Sequence, residues 1–242
     1  MTFKKKIASI IRYCPPLFKF GSKLYHKING GFKSLSPGAP AAIEWAMEKT
    51  AEIHPDKGLG DYYEFGLYKG YTFLTAYRAA EKHGLTNKRF FGFDSFQGLP
   101  QVEGPDKTGG HFFEGQFACT KSEVKNNLLK HGVDFERIRL VKGFYKDSLT
   151  HDLKKELGKR PAGVVFLDCD LYSSTKSALE WLEGLIHANS IVIFDDWHSF
   201  TEGKNLGQQL ALKEFLERNP SLVFEPVFDY DDNGRAFIVT KK

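Results

Sequence analysis

Between residues 61 and 219 short apolar runs alternate with stretches of helical periodicity, and few folds admit that order. Strands are predicted at "DYYEFGL" (61–67), "RFFGFD" (89–94), "RIRLVKG" (137–143), "GVVFLDCD" (163–170) and "SIVIFDD" (190–196). Helices are predicted at 72–84, 122–132, 174–188 and 207–219, the first closed by Gly84 and the second opened by Ser122. Strands alternating with helices pair in parallel and need cover on both faces. "FEPVFDY" and "RAFIVTK", separated by "DDNG", add an antiparallel hairpin turning at Asn233-Gly234. The expected fold class is therefore α/β: a mostly parallel sheet with an antiparallel C-terminal hairpin, and helices on both faces.

Residues 1–40 are rich in Lys, Phe, Gly and Pro, lack clean periodicity and end in "SLSPGAP". They are expected to form an irregular or helical arm, a lid or a dimer element, separable from a main domain at 41–242. Ile43, Ala46, Met47 and Ala51 mark the first amphipathic helix of that domain. A length of 242 residues suits one domain with additions. The 97–120 loop is too long for a routine connection, so a functional lid or a disordered segment is expected there.

A net charge of +4 comes with no dense Lys/Arg stripe, and the aromatic residues lack interleaved bases, so no nucleic acid partner is expected. Lys4 to Lys6 read as a solvated run. Cys14, Cys119 and Cys169 are scattered and make no disulfide framework, which suggests a reducing, cytoplasmic setting. The apolar "IASII" is cut off by Arg12, short of the ~7–15 residues of a secretory signal core. No segment approaches the ~18 apolar residues of a membrane span, so no stable insertion is expected.

Ligands of such sheets sit beyond the carboxyl ends of the strands, where strand order reverses. The first strand ends in "EFGLYKG", with Glu64, Gly66 and Gly70. Glycines there permit a sharp turn and leave room above it. Asp94, at the end of the next strand, is placed to accept the hydroxyls of a ribose. Only two glycines, separated by three residues, do not make the dinucleotide fingerprint. An acid before the first glycine suits a ligand carrying a positive group, such as the methionine arm of S-adenosylmethionine. An ordinary strand–helix turn is the plain alternative.

Two acid pairs close the later strands: Asp168 and Asp170, then Asp195 and Asp196. If those strands are neighbours their ends lie about 4.8 Å apart. Carboxylates converging there would raise one another's pKa unless a cation bound them. All-oxygen ligands favour a hard ion, Mg²⁺ first. Strand alternation would aim Asp168 and Asp170 to one side and bury Cys169 on the other. One acid could then hold the ion while the other takes a proton. The acids could instead cap loops and face water. A further alternative is a metal-dependent phosphohydrolase, because "DCD" and "DD" imitate haloacid-dehalogenase phosphatase motifs. One helix fills the interval in which those enzymes need Ser/Thr and Lys segments.

"DYYEFGLYKGYT", "FFGFDSFQGLP", "VVFLDCDLYSST" and "IVIFDDWHS", in that order, resemble the macrocin O-methyltransferase-like (TylF/MycF-type) family. The resemblance runs from about Asp61 to Lys242. It implies a class I, Rossmann-like methyltransferase fold with a seven-stranded sheet, S-adenosylmethionine and Mg²⁺ as cofactors, and a hydroxylated small-molecule acceptor such as a sugar. It implies that Glu64, Gly66 and Gly70 line the methionyl side of the cofactor, with Thr72 near its carboxylate. Asp94 would hold the ribose, with Ser95 beside the adenosine. Asp168, Asp195 and Asp196 would ligate the metal, and Asp170 would be the general base. Tyr71 departs from the family, which often carries a small residue there.

Other residues invite a role. His198 could be a second base or a rim histidine, and His111 could touch substrate or only solvent. Trp197 and Tyr172 could stack on a sugar or pack on a helix. "GFYKDSL" (143–149) could border the adenine or be a plain turn. A non-catalytic S-adenosylmethionine-binding module remains a further alternative, and the arm could pack across a homodimer.

Overall fold

The computed structural model describes residues 15–28, 31–53, 60–108, 112–158, 160–200 and 205–242. Seven strands form one sheet: β1 (Asp61–Phe65), β2 (Phe90–Asp94), β3 (Ile138–Lys142), β4 (Ala162–Leu167), β5 (Ile191–Phe194), β6 (Leu222–Tyr230) and β7 (Gly234–Lys241). Their order is β3-β2-β1-β4-β5-β7-β6. The first five pair in parallel, while β7 runs antiparallel to both β5 and β6. The helices are α1 (Pro15–Ile28), α2 (Ala39–Ile53), α3 (Tyr71–Lys82), α4 (Lys121–Lys130), α5 (Tyr145–Ser148), α6 (His151–Leu157), α7 (Tyr172–Leu182) and α8 (Gly207–Arg218).

Every residue of β1 is buried, as a strand covered on both faces requires. Tyr62 points into a core shared with Ile43 and Met47 of α2, Phe73 of α3 and Leu128 of α4. Its neighbours Tyr63 and Phe65 point the other way, onto Trp181 of α7 and Phe215 of α8. The period-two alternation thus splits the apolar residues between two cores.

Several boundaries differ from those predicted, each for a local reason. β4 stops at Leu167 and β5 at Phe194, so all four acids stand in loops just beyond the strands. Asp170 has φ 61°, a left-handed conformation, so strand alternation does not govern its direction. Cys169 is buried with the second core, where its Sγ lies 3.4 Å from Thr175 Oγ1. α7 ends at Leu182 rather than at residue 188, because Glu183 leaves helical geometry and Gly184 takes φ 76°. Helices α5 and α6, four and seven residues long, were not expected. They are too short to show a period.

The described part of the long loop is a pinned wall. Leu99 N–H donates to Gln116 O and Gly115 N–H to Leu99 O, both at 2.9 Å. The buried Asp106 then accepts the N–H groups of Tyr172 (2.6 Å) and Ser173 (3.2 Å). A side chain from a distant loop therefore satisfies the free N-terminal amides of α7. His111 lies outside the described residues.

Candidate active site

β1 is flanked by β2 on one side and β4 on the other, so the strand order reverses between β1 and β4. Beyond the carboxyl ends of these strands lies a cavity of about 1300 Å³. Ligand pockets typically measure roughly 300–1,000 Å³, so this one has room for two small molecules side by side.

The β1–β2 side of the cavity is built from a glycine turn and a well-bonded acid. Gly66, at φ 93°, is forced by a close approach: a Cβ there would lie 1.7 Å from the carbonyl oxygen of Asp168. Gly70, at φ 84°, precedes α3, and its open side faces Val124 of α4 rather than the cavity. Asp94 Oδ2 accepts the N–H groups of Leu67 (2.8 Å) and Tyr68 (3.3 Å), and Oδ1 accepts that of Phe96 (2.6 Å). Three of roughly four carboxylate acceptor sites are therefore spent on backbone, two on the glycine turn and one on the loop after β2, which leaves about one for a ligand. Burial pushes the Asp94 pKa up, and these backbone bonds oppose that rise. Ser95 Oγ donates to Gly98 O at 2.7 Å and accepts from Gln97 N–H at 3.0 Å.

Glu64 sits beneath this turn and does not reach the cavity wall. Burial raises its pKa to about 8, against the pull of hydrogen bonds from Thr72 and Tyr62. Thr72 does line the cavity, and its Oγ1 lies 2.7 Å from Glu64 Oε1. With Glu64 ionised, Thr72 gives it the one hydroxyl proton and offers the cavity only lone pairs. With Glu64 protonated the bond can reverse, and Thr72 can donate to a ligand. Tyr71 lines the wall and meets Phe32 edge to face at 5.3 Å.

The β4–β5 side is different in kind. Asp168, Asp170, Asp195 and Asp196 all line the same cavity. Burial pushes the Asp168 pKa well above the usual carboxylate range, and Asp195, Asp196, Asp170 and Glu64 push it further. Asp195 rises to about 7 through burial and the charge of Asp196, although Tyr230 and Ser36 hydroxyls hydrogen-bond to it. Among the described residues no three acidic, His or Cys side chains stand in a metal-holding arrangement. Hydroxyls hold two of the acids: Asp195 Oδ1 accepts from Tyr230 (2.7 Å) and Ser36 (3.0 Å), and Asp196 Oδ1 from Ser199 (2.9 Å). The expected ligand trio is thus adjacent but not gathered.

The arm supplies much of the roof, through side chains that the sequence did not single out. Phe18 of α1 meets Phe113 and Phe117 of the long loop edge to face, at 5.7 and 5.2 Å. Tyr25 and Ser36 also line the cavity. Asp231, read from sequence only as part of a turn, lines it too and accepts from Gly38 N–H at 2.7 Å. His198 lies on the cavity wall, 3.3 Å from Asp229 Oδ2. Tyr172 and Trp197 belong to packing: Tyr172 donates to Glu214 at 3.0 Å, and Trp197 meets Phe194 and Phe237. Phe144, Tyr145 and Lys146 of "GFYKDSL" line the wall.

Comparisons with known proteins agree with this architecture. The chain is 31% identical over 144 residues to 8-demethyl-8-(2,3-dimethoxy-alpha-L-rhamnosyl)-tetracenomycin-C 4'-O-methyltransferase of Streptomyces olivaceus, a match covering 57% of this chain and 53% of that protein. It is 28% identical over 143 residues to demethyldecarbamoylnovobiocin O-methyltransferase of Streptomyces niveus, with the same coverage. The matched region thus spans about half the length of these curated relatives. The solved structure of the O-methyltransferase NovP superposes with a TM-score of 0.70 at 23% identity, covering 85% of this chain and 81% of that one, and shares the fold. The sequence model of the macrocin O-methyltransferase family (TylF) matches residues 43–237, a stretch that contains the glycine turn, Asp94 and both acid pairs. On that match, which takes in most of the chain and sets the acids in a methyltransferase rather than a phosphohydrolase context, the chain belongs to the macrocin O-methyltransferase family.

Proposed function

We propose that this chain transfers the methyl group of S-adenosylmethionine to a hydroxyl of a small-molecule acceptor, a sugar or a glycoside. The observation that carries the reading is that the glycine turn with Asp94 and the cluster of four acids open into one cavity. Both curated relatives are named as O-methyltransferases, one of them of a rhamnosyl compound, which favours a sugar among acceptors. Scattered cysteines support a cytoplasmic setting, and no helix among the described residues is long and apolar enough to cross a membrane.

The cofactor lies against Gly66 and Thr72, with the last acceptor site of Asp94 toward a ribose hydroxyl. The acceptor lies between it and the acids, under the arm. The acceptor oxygen attacks the methyl carbon in line with the sulfur. The carbon–sulfur bond breaks, its electron pair stays on sulfur, and S-adenosylhomocysteine leaves. Positioning the two reactants in line is the main task of such a site. Asp170 takes the hydroxyl proton as general base.

The four acids fit a hard dication such as Mg²⁺ in donor type: all are oxygen donors, and burial together with mutual repulsion lifts the Asp168 pKa, which a cation would offset. Asp168, Asp195 and Asp196 would hold it, once Asp195 and Asp196 turn from their hydroxyl partners. When bound, the ion supplies Lewis acidity, which lowers the pKa of an acceptor hydroxyl. Calorimetric titration with S-adenosylmethionine, repeated on Asp94→Ala, tests the cofactor assignment: heat is expected from the first protein and much less from the second. Methyl transfer to a panel of glycosides, before and after chelation and with Mg²⁺ added back, tests the rest. Full activity after thorough chelation would remove the metal from the proposal.

A further inference from the structure

Helix α1 has two faces, and the proposed reaction uses only one. Phe18, Ser22 and Tyr25 turn inward to line the cavity. Leu17, Phe20, Leu24 and Ile28 turn outward, 47%, 67%, 45% and 73% exposed, and none of them lines the cavity. Their spacing of three, four and four residues puts them on one stripe of the helix. Of the six large apolar residues that stand exposed among the described residues, four belong to this stripe. Such concentration marks an interaction surface rather than scatter.

Charge identifies the partner. Lys23 and Lys27 are exposed along one edge of the stripe, between the apolar face and the buried His26. The first 43 residues contain eight Lys and Arg and no Asp or Glu, a net charge of +8. The whole chain carries +4, so the remaining 199 residues carry −4. A basic arm on an acidic domain is a charge asymmetry of the kind that seeks an anionic surface. Nucleic acid would answer the lysines but not the apolar stripe. A second copy of the arm would answer the stripe but has no acid for the lysines. An anionic bilayer answers both: acyl chains take up the apolar face and lipid phosphates the basic edge.

We propose that α1 docks this protein, parallel to the plane of the bilayer, on anionic lipid, with its inner face still roofing the cavity. The helix is about 21 Å long, too short to span and long enough to lie in the interface. Docking would hold the arm-side mouth of the cavity against the membrane surface, where an amphiphilic acceptor concentrates.

The test uses the full chain and sedimentation with vesicles, of phosphatidylcholine alone or mixed with phosphatidylglycerol. Binding is expected with the mixture, weakened by high salt. Replacing two basic groups, Lys23→Gln with Lys27→Gln, should weaken it roughly 30-fold. Leu24→Ser with Ile28→Ser should weaken it about 100-fold or more. Neither pair lines the cavity, so S-adenosylmethionine titration and the unfolding midpoint should stay at their parent values, which separates this proposal from the proposed function. Failure to bind the anionic vesicles would overturn it, as would binding indifferent to both pairs. A dimer in light scattering that the serine pair dissolves would also overturn it, and would assign the stripe to a second copy.

Discussion

The two halves of the cavity use carboxylates in opposite ways. On the β1–β2 side Asp94 is enclosed by three backbone N–H groups and holds the glycine turn in shape. On the β4–β5 side burial pushes Asp168 up, and three neighbouring aspartates and Glu64 add to it. The first side is complete before any ligand arrives, whereas the second stores repulsion that a ligand can relieve. In the proposed function the first side takes the cofactor and the second the acceptor and a metal. The contrast also makes the two sides respond differently to substitution.

The largest effect is expected where the sides touch. A methyl group at Gly66 would meet the Asp168 carbonyl at 1.7 Å, in a backbone conformation that L-residues avoid. Gly66→Ala should cost more than about 4 kcal/mol, among the severe single substitutions. In a chain of this size that lowers Tm by about 10 °C or more. Gly84→Ala is the control, with the same sign of φ and nothing within 4 Å of its Cβ. It should cost only about 1–2 kcal/mol. Equal losses in thermal unfolding would show that backbone strain, and not the β1–β4 approach, governs Gly66.

Asp170→Asn separates chemistry from binding. Loss of the proposed general base should lower kcat about 10²–10⁴-fold. Affinity for S-adenosylmethionine, measured by calorimetry, should hold, because the turn and Asp94 are untouched. A parallel loss of both would mean that the two halves do not act separately.

The sheet was legible because its strands are nearly all apolar and the intervening helices are long enough to show a period. The acids were legible as pairs, since charges directly after "VVFL" and "IVIF" have few structural reasons to be there. Their direction was not, because it depends on the left-handed Asp170 and on loops beyond the strands. Glu64 illustrates a subtler gap. Its neighbours in sequence place it at the right end of β1, but only packing shows it under the turn, bonded to Thr72. The lining residues of the roof were invisible for another reason: Phe18, Tyr25 and Ser36 follow no pattern that says what they face, and Asp106 acts across 66 residues of chain.

Stability should move in opposite directions on the two sides. Asp94→Asn replaces one acceptor by an amide group that confronts a backbone N–H, at a cost of about 1–3 kcal/mol. Asp168→Asn removes a group that burial and its neighbours resist ionising, so in chelator its Tm should exceed that of the parent most at high pH. The pH dependence follows the same sign. Asp195 and Glu64 have folded pKa values raised to about 7 and about 8, so the folded state holds protons that the unfolded chain releases near pH 4. Their contribution is complete below that pH and is lost as pH rises through about 7 to 8. Unfolding scans in chelator should therefore show Tm falling across this window, less steeply in Asp168→Asn. A flat profile would show that the acids are already neutralised.

The smallest effect is expected at the seam between the arm and the acids. Ser36 Oγ lies 3.0 Å from both Asp195 Oδ1 and Asp231 Oδ2, yet it has one proton and can serve one carboxylate at a time. Tyr230 still donates to Asp195, and Gly38 N–H still donates to Asp231, when the hydroxyl is removed. Ser36→Ala should therefore cost about 1 kcal/mol or less, or 2–4 °C in Tm. Its functional signature should be selective. The roof contacts the acid side rather than the glycine turn at this point, so KM for the acceptor should rise while affinity for S-adenosylmethionine stays fixed. A change confined to cofactor affinity would place the arm with the other half of the cavity.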